Sequence, residues 1–226
     1  MTSAQPIRPA PRTAVPTGSE TWTEAAILAG VLTITDPSDI ARIRAPGLGG
    51  VIWQRRPLPS FQAWINRLAP DRLPRARAIL RPDAARRVLT EACRSTGTPD
   101  GAERARLVDD IAALADIFAG STGAPWLRLR LDVVTGNACR RFHVDRVTAR
   151  LVCTYRGTGT QYGVSQGEAP DVIHTVPTGA AIVLRGTLWP PRPDPGLLHR
   201  SPPIEGTGEA RLVLVLDPIH DLEEEA

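Results

Sequence analysis

The segment FHVDRVTARLVCTY, residues 142–155, decides the fold of this chain. Its second part is rich in β-branched and apolar residues, which indicates a β-strand over residues 146–155. Its first part places His143 and Asp145 two positions apart. Side chains two positions apart project from the same face of an extended chain, so both should point into one cavity.

A distant histidine completes this pattern. His199 lies 56 positions after His143, beyond a turn-rich stretch and a predicted strand at residues 180–184, so it must reach the cavity from another strand. Two imidazoles and one carboxylate hold a divalent metal ion on one side and leave its other coordination positions open. We therefore predict a metal site made of His143, Asp145 and His199.

An arginine stands at the head of a strongly apolar run. Arg211 opens RLVLVLD, residues 211–217, whose unbroken apolar centre is typical of a strand covered on both faces. A buried, unpaired guanidinium is strongly disfavoured, so Arg211 must meet an anion or water. Its fork shape suits a carboxylate, which it can bind through two parallel hydrogen bonds.

With these residues, the sequence resembles the iron(II)- and 2-oxoglutarate-dependent oxygenases over about residues 126–217. Proteins of that superfamily carry a His-x-Asp pair, a distal His, and an Arg or Lys about one strand later, on a double-stranded β-helix. The resemblance implies that His143, Asp145 and His199 bind Fe(II). It also implies that Arg211 binds the far carboxylate of 2-oxoglutarate, and that the protein is a hydroxylase-type dioxygenase.

Two more residues are candidates for binding 2-oxoglutarate. Tyr155 shares the odd-number parity of His143 and Asp145, so its hydroxyl should lie on the cavity side unless a bulge intervenes; the alternative is an aromatic in the core of a strand. Arg200 is the alternative to Arg211, although its parity, opposite to that of His199, should turn it away from the cavity.

Three segments also resemble an uncharacterised bacterial domain family within this superfamily, one that we associate with zinc handling: ACRRFHVD (138–145), RLVCTYRGTGTQY (150–162) and LLHRSPP (197–203). The alternative function is therefore a non-redox zinc-binding protein involved in metal handling. Its metal shell would be completed by Cys139, four residues before His143, or by a water; a thiolate would favour zinc, because soft sulfur suits it. The competing interpretation of Cys139 is a small buried residue at the start of a strand.

These patterns predict an α+β protein. A mostly helical N-terminal segment, residues 21–125, should pack on a double-stranded β-helix, a jelly-roll or cupin-like barrel, at residues 126–220. Residues 1–20 should form a disordered lead, and residues 221–226 an acidic tail. The predicted helices are 22–32, 60–68 with Ser60 as N-cap, 83–94, and 102–119 ending before Gly120; additional strands are predicted at 49–54 and 126–134. The proline-rich segment 189–196 is either a lid over the site or a plain connection.

Composition limits the functional classes. All 27 basic residues are arginine, which excludes catalysis by a lysine Schiff base. The absence of a long apolar stretch or a secretory signal, and three cysteines without a Cys-x-x-Cys pair, predict a cytoplasmic protein that does not span a membrane.

The predicted partner is a small-molecule or peptide substrate, and Arg140, Arg141 and Arg146 around the metal pair are compatible with an acidic one. Residues 42–106 hold 14 arginines against five acids, but aromatic residues are few there. We interpret these arginines as solvated helix faces and do not expect nucleic acid as a partner. Nothing in the sequence predicts an oligomeric state.

Overall fold

The computed structural model describes residues 27–28, 30–165, 169–190 and 196–223. These residues form an α+β fold, as predicted. The α-helices are α1 (Pro59–Arg67), α2 (Ala85–Ser95) and α3 (Ala102–Thr122), with short 3-10 helices at Pro37–Arg44, Pro70–Arg72 and Pro82–Ala84. The strands are β1 (Ile27–Leu28), β2 (Val31–Ile34), β3 (Gly50–Trp53), β4 (Ala76–Leu80), β5 (Trp126–Val134), β6 (Ala149–Arg156), β7 (Gln161–Val164), β8 (His174–Thr175), β9 (Ala181–Arg185), β10 (Leu197–Arg200) and β11 (Arg211–Ile219).

The strands form two sheets. The larger has eight strands in the order β1-β2-β3-β9-β6-β11-β5-β4, and the smaller has three in the order β10-β7-β8. All pairs are antiparallel except β2 with β3. The predicted N-terminal segment thus supplies four strands of the large sheet besides its helices.

The helices cover one face of the large sheet. On β5 the alternating pattern LRLRLD turns its leucines to this face, where Leu127, Leu129 and Leu131 are fully buried. α3 presents a matching apolar stripe that includes Leu107 and Phe118. Burial of one such side chain contributes roughly 1.5–3 kcal/mol, so this layer contains much of the stabilising apolar contact.

The other face of the large sheet packs against the small sheet. Val152 of β6 and Val213 of β11 meet Tyr162 of β7 and Leu197 of β10 in a second, smaller core. Because side chains alternate along a strand, the even-numbered residues of β6 and the odd-numbered residues of β11 face this space. Arg150 of β6 and Arg211 of β11 therefore face the small sheet, whereas Arg156 at the end of β6 reaches the carbonyl of Leu68 at the end of α1.

One predicted helix is wrong within the described residues. Residues 22–32 were predicted to be helical, but Ile27–Leu28 and Val31–Ile34 are strands; residues 22–26 and 29 lie outside the described residues. Gly30 has a φ of 69°, which ends any helix there, and β2 pairs in parallel with β3. Tertiary strand pairing thus overrides the local apolar pattern.

Two predicted helix ends are also wrong. Ser60 does not cap α1, because Leu58 occupies the N-cap position and Pro59 begins the helix. α3 passes through Gly120 and ends at Gly123, whose φ of 71° gives the left-handed C-cap. A glycine inside a helix only weakens it, whereas the left-handed cap requires a residue such as Gly123.

The predicted lead at residues 1–20 lies outside the described residues, as do residues 191–195 of the proline-rich segment and residues 224–226 of the tail. No helix in the described part of the chain is both long and apolar enough to cross a bilayer.

Candidate metal centre

The two histidines of the predicted triad are direct neighbours across a backbone bridge. His143 N–H donates to the carbonyl of His199, and His199 N–H donates to the carbonyl of His143, each at 3.0 Å. The pairing continues at Ser201, whose N–H donates to the carbonyl of Cys139 at 3.0 Å. Residues 56 positions apart are thus fixed side by side, and their ring centroids are 4.6 Å apart.

The loop after Asp145 is held by a turn from elsewhere in the chain. Thr187 N–H donates to the carbonyl of Asp145 at 2.9 Å, and Leu188 N–H donates to that of Val147 at 3.1 Å. Gly186 lies so close to this loop that a Cβ at its position would be 1.9 Å from the carbonyl oxygen of Val147. Only glycine permits this approach, so residues 186–188 set the direction of Asp145.

The three side chains converge. One ligand atom from each of His143, Asp145 and His199 lies within 4.8 Å of the others, and among the described residues this is the one such group of His, Cys, Asp or Glu. Nδ1 of His143 lies 2.8 Å from the carbonyl of Arg141. A proton on Nδ1 would donate to that carbonyl and leave Nε2 free to bind a metal.

The chemistry of the donors fits a divalent cation. Oδ2 of Asp145 lies 2.8 Å from Nε2 of His199, yet it is buried and has no hydrogen bond of acceptable geometry. Burial opposes ionisation of Asp145, but His143, His199 and Arg150 outweigh it and hold its pKa well below the usual range. Contact with Asp145 raises the pKa of His143 against the effect of burial. A buried carboxylate oxygen without a donor, beside two imidazoles, suits a metal ion.

Asp145 is also supported from the large sheet. Arg150 of β6 contacts Oδ1 of Asp145 and binds both carboxylate oxygens of Asp217 on β11, at 2.6 and 2.8 Å. Asp217 is buried and also accepts from Arg130 of β5 at 3.1 Å. Such outer contacts orient metal ligands. The sequence analysis missed these residues because the alternation of charge along β5 and β6 does not tell which sheet face borders the site.

Arg211 lies in the same cavity, of about 150 Å³, as the three triad residues. Its side chain is 1% exposed and contacts neutral groups: the carbonyl of Thr158 at 2.6 Å, Oγ of Ser201 at 3.2 Å and Oγ1 of Thr154 at 3.5 Å. Burial lowers the pKa of Arg211 to about 10, against the opposing charge of Glu209. Within the ranges described, no carboxylate forms an ion pair with it. Arg211 is therefore a buried cation that no direct ion pair neutralises, although the charge of Glu209 acts on it from nearby.

A model of the family described as "Protein of unknown function (DUF1826)" matches residues 34–217. The chain belongs to the DUF1826 family. This confirms the prediction that it belongs to an uncharacterised domain family. No curated protein matches the chain.

Several solved structures are similar to this DUF1826 protein. The rice dioxygenase for auxin oxidation has 15% identity and a TM-score of 0.46, covering 84% of this chain and 82% of its own. Dioxygenase for auxin oxidation 1 from Arabidopsis thaliana, a 2-oxoglutarate complex, has 10% identity, a TM-score of 0.48 and coverages of 85% and 93%. A putative oxygenase from Shewanella oneidensis has 14% identity, a TM-score of 0.40 and coverages of 83% and 89%.

Tyr155 of this DUF1826 protein does not face the metal cavity. Its hydroxyl donates to Oδ2 of Asp110 on α3 at 2.6 Å, and its ring packs edge-on against Phe61 of α1. The parity argument is wrong because the chain bends between Asp145 and the start of β6 at Ala149. Arg150 and Val152 of β6 therefore line the cavity, and Tyr155 belongs to the helix-covered face.

Arg200 borders the cavity, contrary to the prediction that its parity turns it away. Its guanidinium lies 4.4 Å from the centre of the Phe142 ring, and its Nε donates to Oε1 of Gln161 at 2.8 Å. The long side chain reaches the cavity from the side of β10. Unlike Arg211, Arg200 is only partly buried.

Cys139 also borders the cavity but is exposed, and its thiol does not join the converging group of ligand atoms. The interpretation of Cys139 as a small buried residue is wrong as well. Its backbone carbonyl, which pairs with Ser201, is what connects it to the site.

Proposed function

We propose that this DUF1826 protein is an Fe(II)- and 2-oxoglutarate-dependent oxygenase on a double-stranded β-helix. The observation that carries the proposal is Arg211, which is buried, forms no ion pair with a carboxylate of the described residues, and lies in the same cavity as His143, Asp145 and His199. A metal triad alone fits many reactions, but a triad with a nearby buried guanidinium suits a ligand that has one metal-binding end and one carboxylate end. 2-Oxoglutarate has both. The two sheets that face each other across the cavity support the barrel.

Each group in the cavity then has a role. His143, Asp145 and His199 would hold Fe(II), and Arg211 would bind the distal carboxylate of 2-oxoglutarate. When bound, Fe(II) and 2-oxoglutarate supply oxidative chemistry in which O₂ converts the keto-acid to succinate and CO₂ while the substrate is oxidised. Ser201 supplies a hydroxyl next to Arg211.

Part of the cavity wall is apolar. Val152 and Val213 line the cavity beside the polar groups, and both are largely buried. Because Arg211 is itself buried, its attraction to a carboxylate is stronger than it would be in water. The backbone bridge between His143 and His199 holds both rings in place before any ligand binds.

The test has two steps. Metal content is measured in protein purified without chelators, and succinate release from 2-oxoglutarate is then measured with added Fe(II) under air. We expect stoichiometric metal and slow succinate release even without primary substrate. If 2-oxoglutarate does not bind to the metal-loaded protein in titration calorimetry, the oxygenase proposal is wrong.

One form of the zinc alternative has Cys139 as a ligand. We expect Cys139→Ser to bind Fe(II) within about twofold of the unsubstituted protein, because the exposed thiol lies outside the converging group. Titration calorimetry with His143→Ala as the matched loss-of-ligand variant measures this. Should Cys139→Ser lose its metal as completely as His143→Ala, sulfur ligation and a zinc protein would be the better account.

Tyr155 is expected to stabilise the fold and not to bind the co-substrate. Tyr155→Phe removes a buried hydrogen bond to Asp110, which should lower the free energy of unfolding by about 1–2 kcal/mol. Asp110 keeps its two contacts with Arg55, so the helix should stay attached to the sheet. Urea unfolding and 2-oxoglutarate titration of the same sample check both points. Weakened 2-oxoglutarate binding with unchanged stability would return Tyr155 to the co-substrate site.

A further inference from the structure

The cavity carries more positive charge than the proposed cofactors would neutralise. Its lining has four guanidinium groups against two carboxylates: Arg130, Arg150, Arg200 and Arg211 against Asp132 and Asp145. Asp217 adds a third carboxylate behind this lining, and Arg77, paired with Asp132, adds a fifth guanidinium. Fe(II) would bring two positive charges and 2-oxoglutarate two negative ones, so a surplus of two remains. Counting Glu209, close to Arg211, still leaves one.

Among the described arginines of the lining, Arg130 is the one with a buried N–H group that lacks an acceptor. Its Nη2 donates to Oδ2 of Asp217 at 3.1 Å, but Asp217 is already bound by Arg150 through two shorter hydrogen bonds. Nε of Arg130 is buried and has no hydrogen-bond partner in the described portion of the chain. A buried donor without an acceptor costs about 1–3 kcal/mol. A ligand oxygen in the cavity would remove that cost.

The position of Arg130 separates it from the proposed 2-oxoglutarate site. Arg130 lies on β5 directly opposite Val215 of β11, and Val215 is opposite Val152 of β6 on its other side. Arg211 instead heads β11, four residues before Val215. Arg130 therefore borders the cavity from a neighbouring strand, apart from Arg211.

Arg200, like Arg211, is a cation of the lining that forms no ion pair with a carboxylate of the described residues. Its contacts within the described residues are the ring of Phe142 and the side-chain oxygen of Gln161, and both leave its charge uncompensated. We propose that the primary substrate of this protein carries an oxyanion, a carboxylate or a phosphate group, that binds Arg130 with support from Arg200. The proposal rests on the oxygenase function proposed above and assigns its substrate class.

The experiment uses small probes near a paramagnetic metal. The full chain is loaded with Mn(II) in place of iron and with 2-oxoglutarate, whose binding is first measured by calorimetry. Relaxation of inorganic phosphate is then followed by ³¹P NMR, and that of ¹³C-labelled acetate and of neutral acetamide by ¹³C NMR. We expect a saturable enhancement of the relaxation rate for phosphate, acetate or both, and none for acetamide. The oxyanion whose relaxation is enhanced identifies the charged group of the substrate.

Two variants test whether the oxyanion binds at Arg130. Arg130→Met should lower the affinity for this oxyanion at least about tenfold, the loss expected when a hydrogen bond to a charged group is removed. Arg87→Met, which removes the same charge from the exposed surface of α2, should leave it unchanged. Equal binding in Arg130→Met, or no saturable enhancement with either oxyanion in the unsubstituted protein, overturns the proposal. So does loss of Mn(II) from Arg130→Met, because Arg130 would then only position Asp145 through Asp217. Failure of 2-oxoglutarate to bind while an oxyanion still binds at Arg130 counts against the oxygenase function alone.

Discussion

Asp145→Ala is expected to abolish binding of a divalent metal while the chain remains folded. The carboxylate is the one anionic ligand of the candidate centre, and one of its oxygens is buried without a hydrogen bond. Removing it leaves two neutral imidazoles, which bind Fe(II) much more weakly. We expect His143→Ala and His199→Ala to lose the metal as well. Titration calorimetry with Fe(II) under anaerobic conditions measures the affinity, and circular dichroism verifies the fold.

Asp132→Ala is the matched control for the metal site. Asp132 borders the same cavity, but its carboxylate pairs with Arg77 and is not part of the converging group. Its removal should leave the metal affinity nearly unchanged. If His199→Ala bound Fe(II) as tightly as the unsubstituted protein, the third ligand would be misassigned.

The convergence of His143, Asp145 and His199 was predictable because two of the residues are neighbours in the sequence and the third had to be one of few histidines. His143 and Asp145 stand two apart, and the sequence has only three other histidines, among which the resemblance to the oxygenases favours His199. The exact partner relation, a backbone bridge between His143 and His199, depends on strand register. Register is set by packing of both sheets and cannot be read from spacing alone.

The position of Tyr155 was predicted wrongly, because the alternation of side chains along a strand cannot be extended through an irregular stretch of chain. The alternation along β6 was recognised, but a short irregular stretch between Asp145 and Ala149 shifts the phase by one residue. A one-residue shift moves every side chain to the opposite face, so Thr154 contacts Arg211 whereas Tyr155 contacts a helix. The same limitation hid Arg150 and Asp217, which are recognisable as supports of Asp145 only after β6 and β11 are aligned.

The N-terminal strands were hidden for a different reason. The predicted helix 22–32 included Val31 and Leu32 of β2, although the β2 sequence VLTI itself favours a strand. β3 was predicted from its own sequence, GGVIWQ at residues 49–54. The parallel pairing of β2 with β3 depends on the tertiary fold and cannot be read from the local sequence.

Arg211→Leu is expected to retain metal binding and to lower the affinity for 2-oxoglutarate sharply. The guanidinium is buried among neutral groups, so in the proposed complex the distal carboxylate of 2-oxoglutarate is its ionic partner. Loss of a charge-assisted pair in a desolvated site costs about 2–5 kcal/mol, which corresponds to roughly thirty- to several-thousand-fold in affinity. Calorimetric titration of the metal-loaded variant with 2-oxoglutarate measures the loss, and a separate titration with Fe(II) confirms that the metal site is intact.

Arg200→Leu is the control that separates the two arginines of the cavity. Arg200 is partly exposed and hydrogen-bonded to Gln161, so its removal should lower the affinity for 2-oxoglutarate by no more than a few-fold.

The stability of Arg211→Leu distinguishes a ligand-binding role of Arg211 from a structural one. Burial disfavours its charged form in the folded chain, as its lowered pKa indicates, so leucine relieves a desolvation cost while it removes the hydrogen bonds to Thr158 and Ser201. These effects oppose each other, and the ligand-free variant should unfold at nearly the same urea concentration as the unsubstituted protein. A large loss of stability in Arg211→Leu with 2-oxoglutarate affinity unchanged would make Arg211 a structural residue, and a loss of affinity confined to Arg200→Leu would transfer the carboxylate site to Arg200.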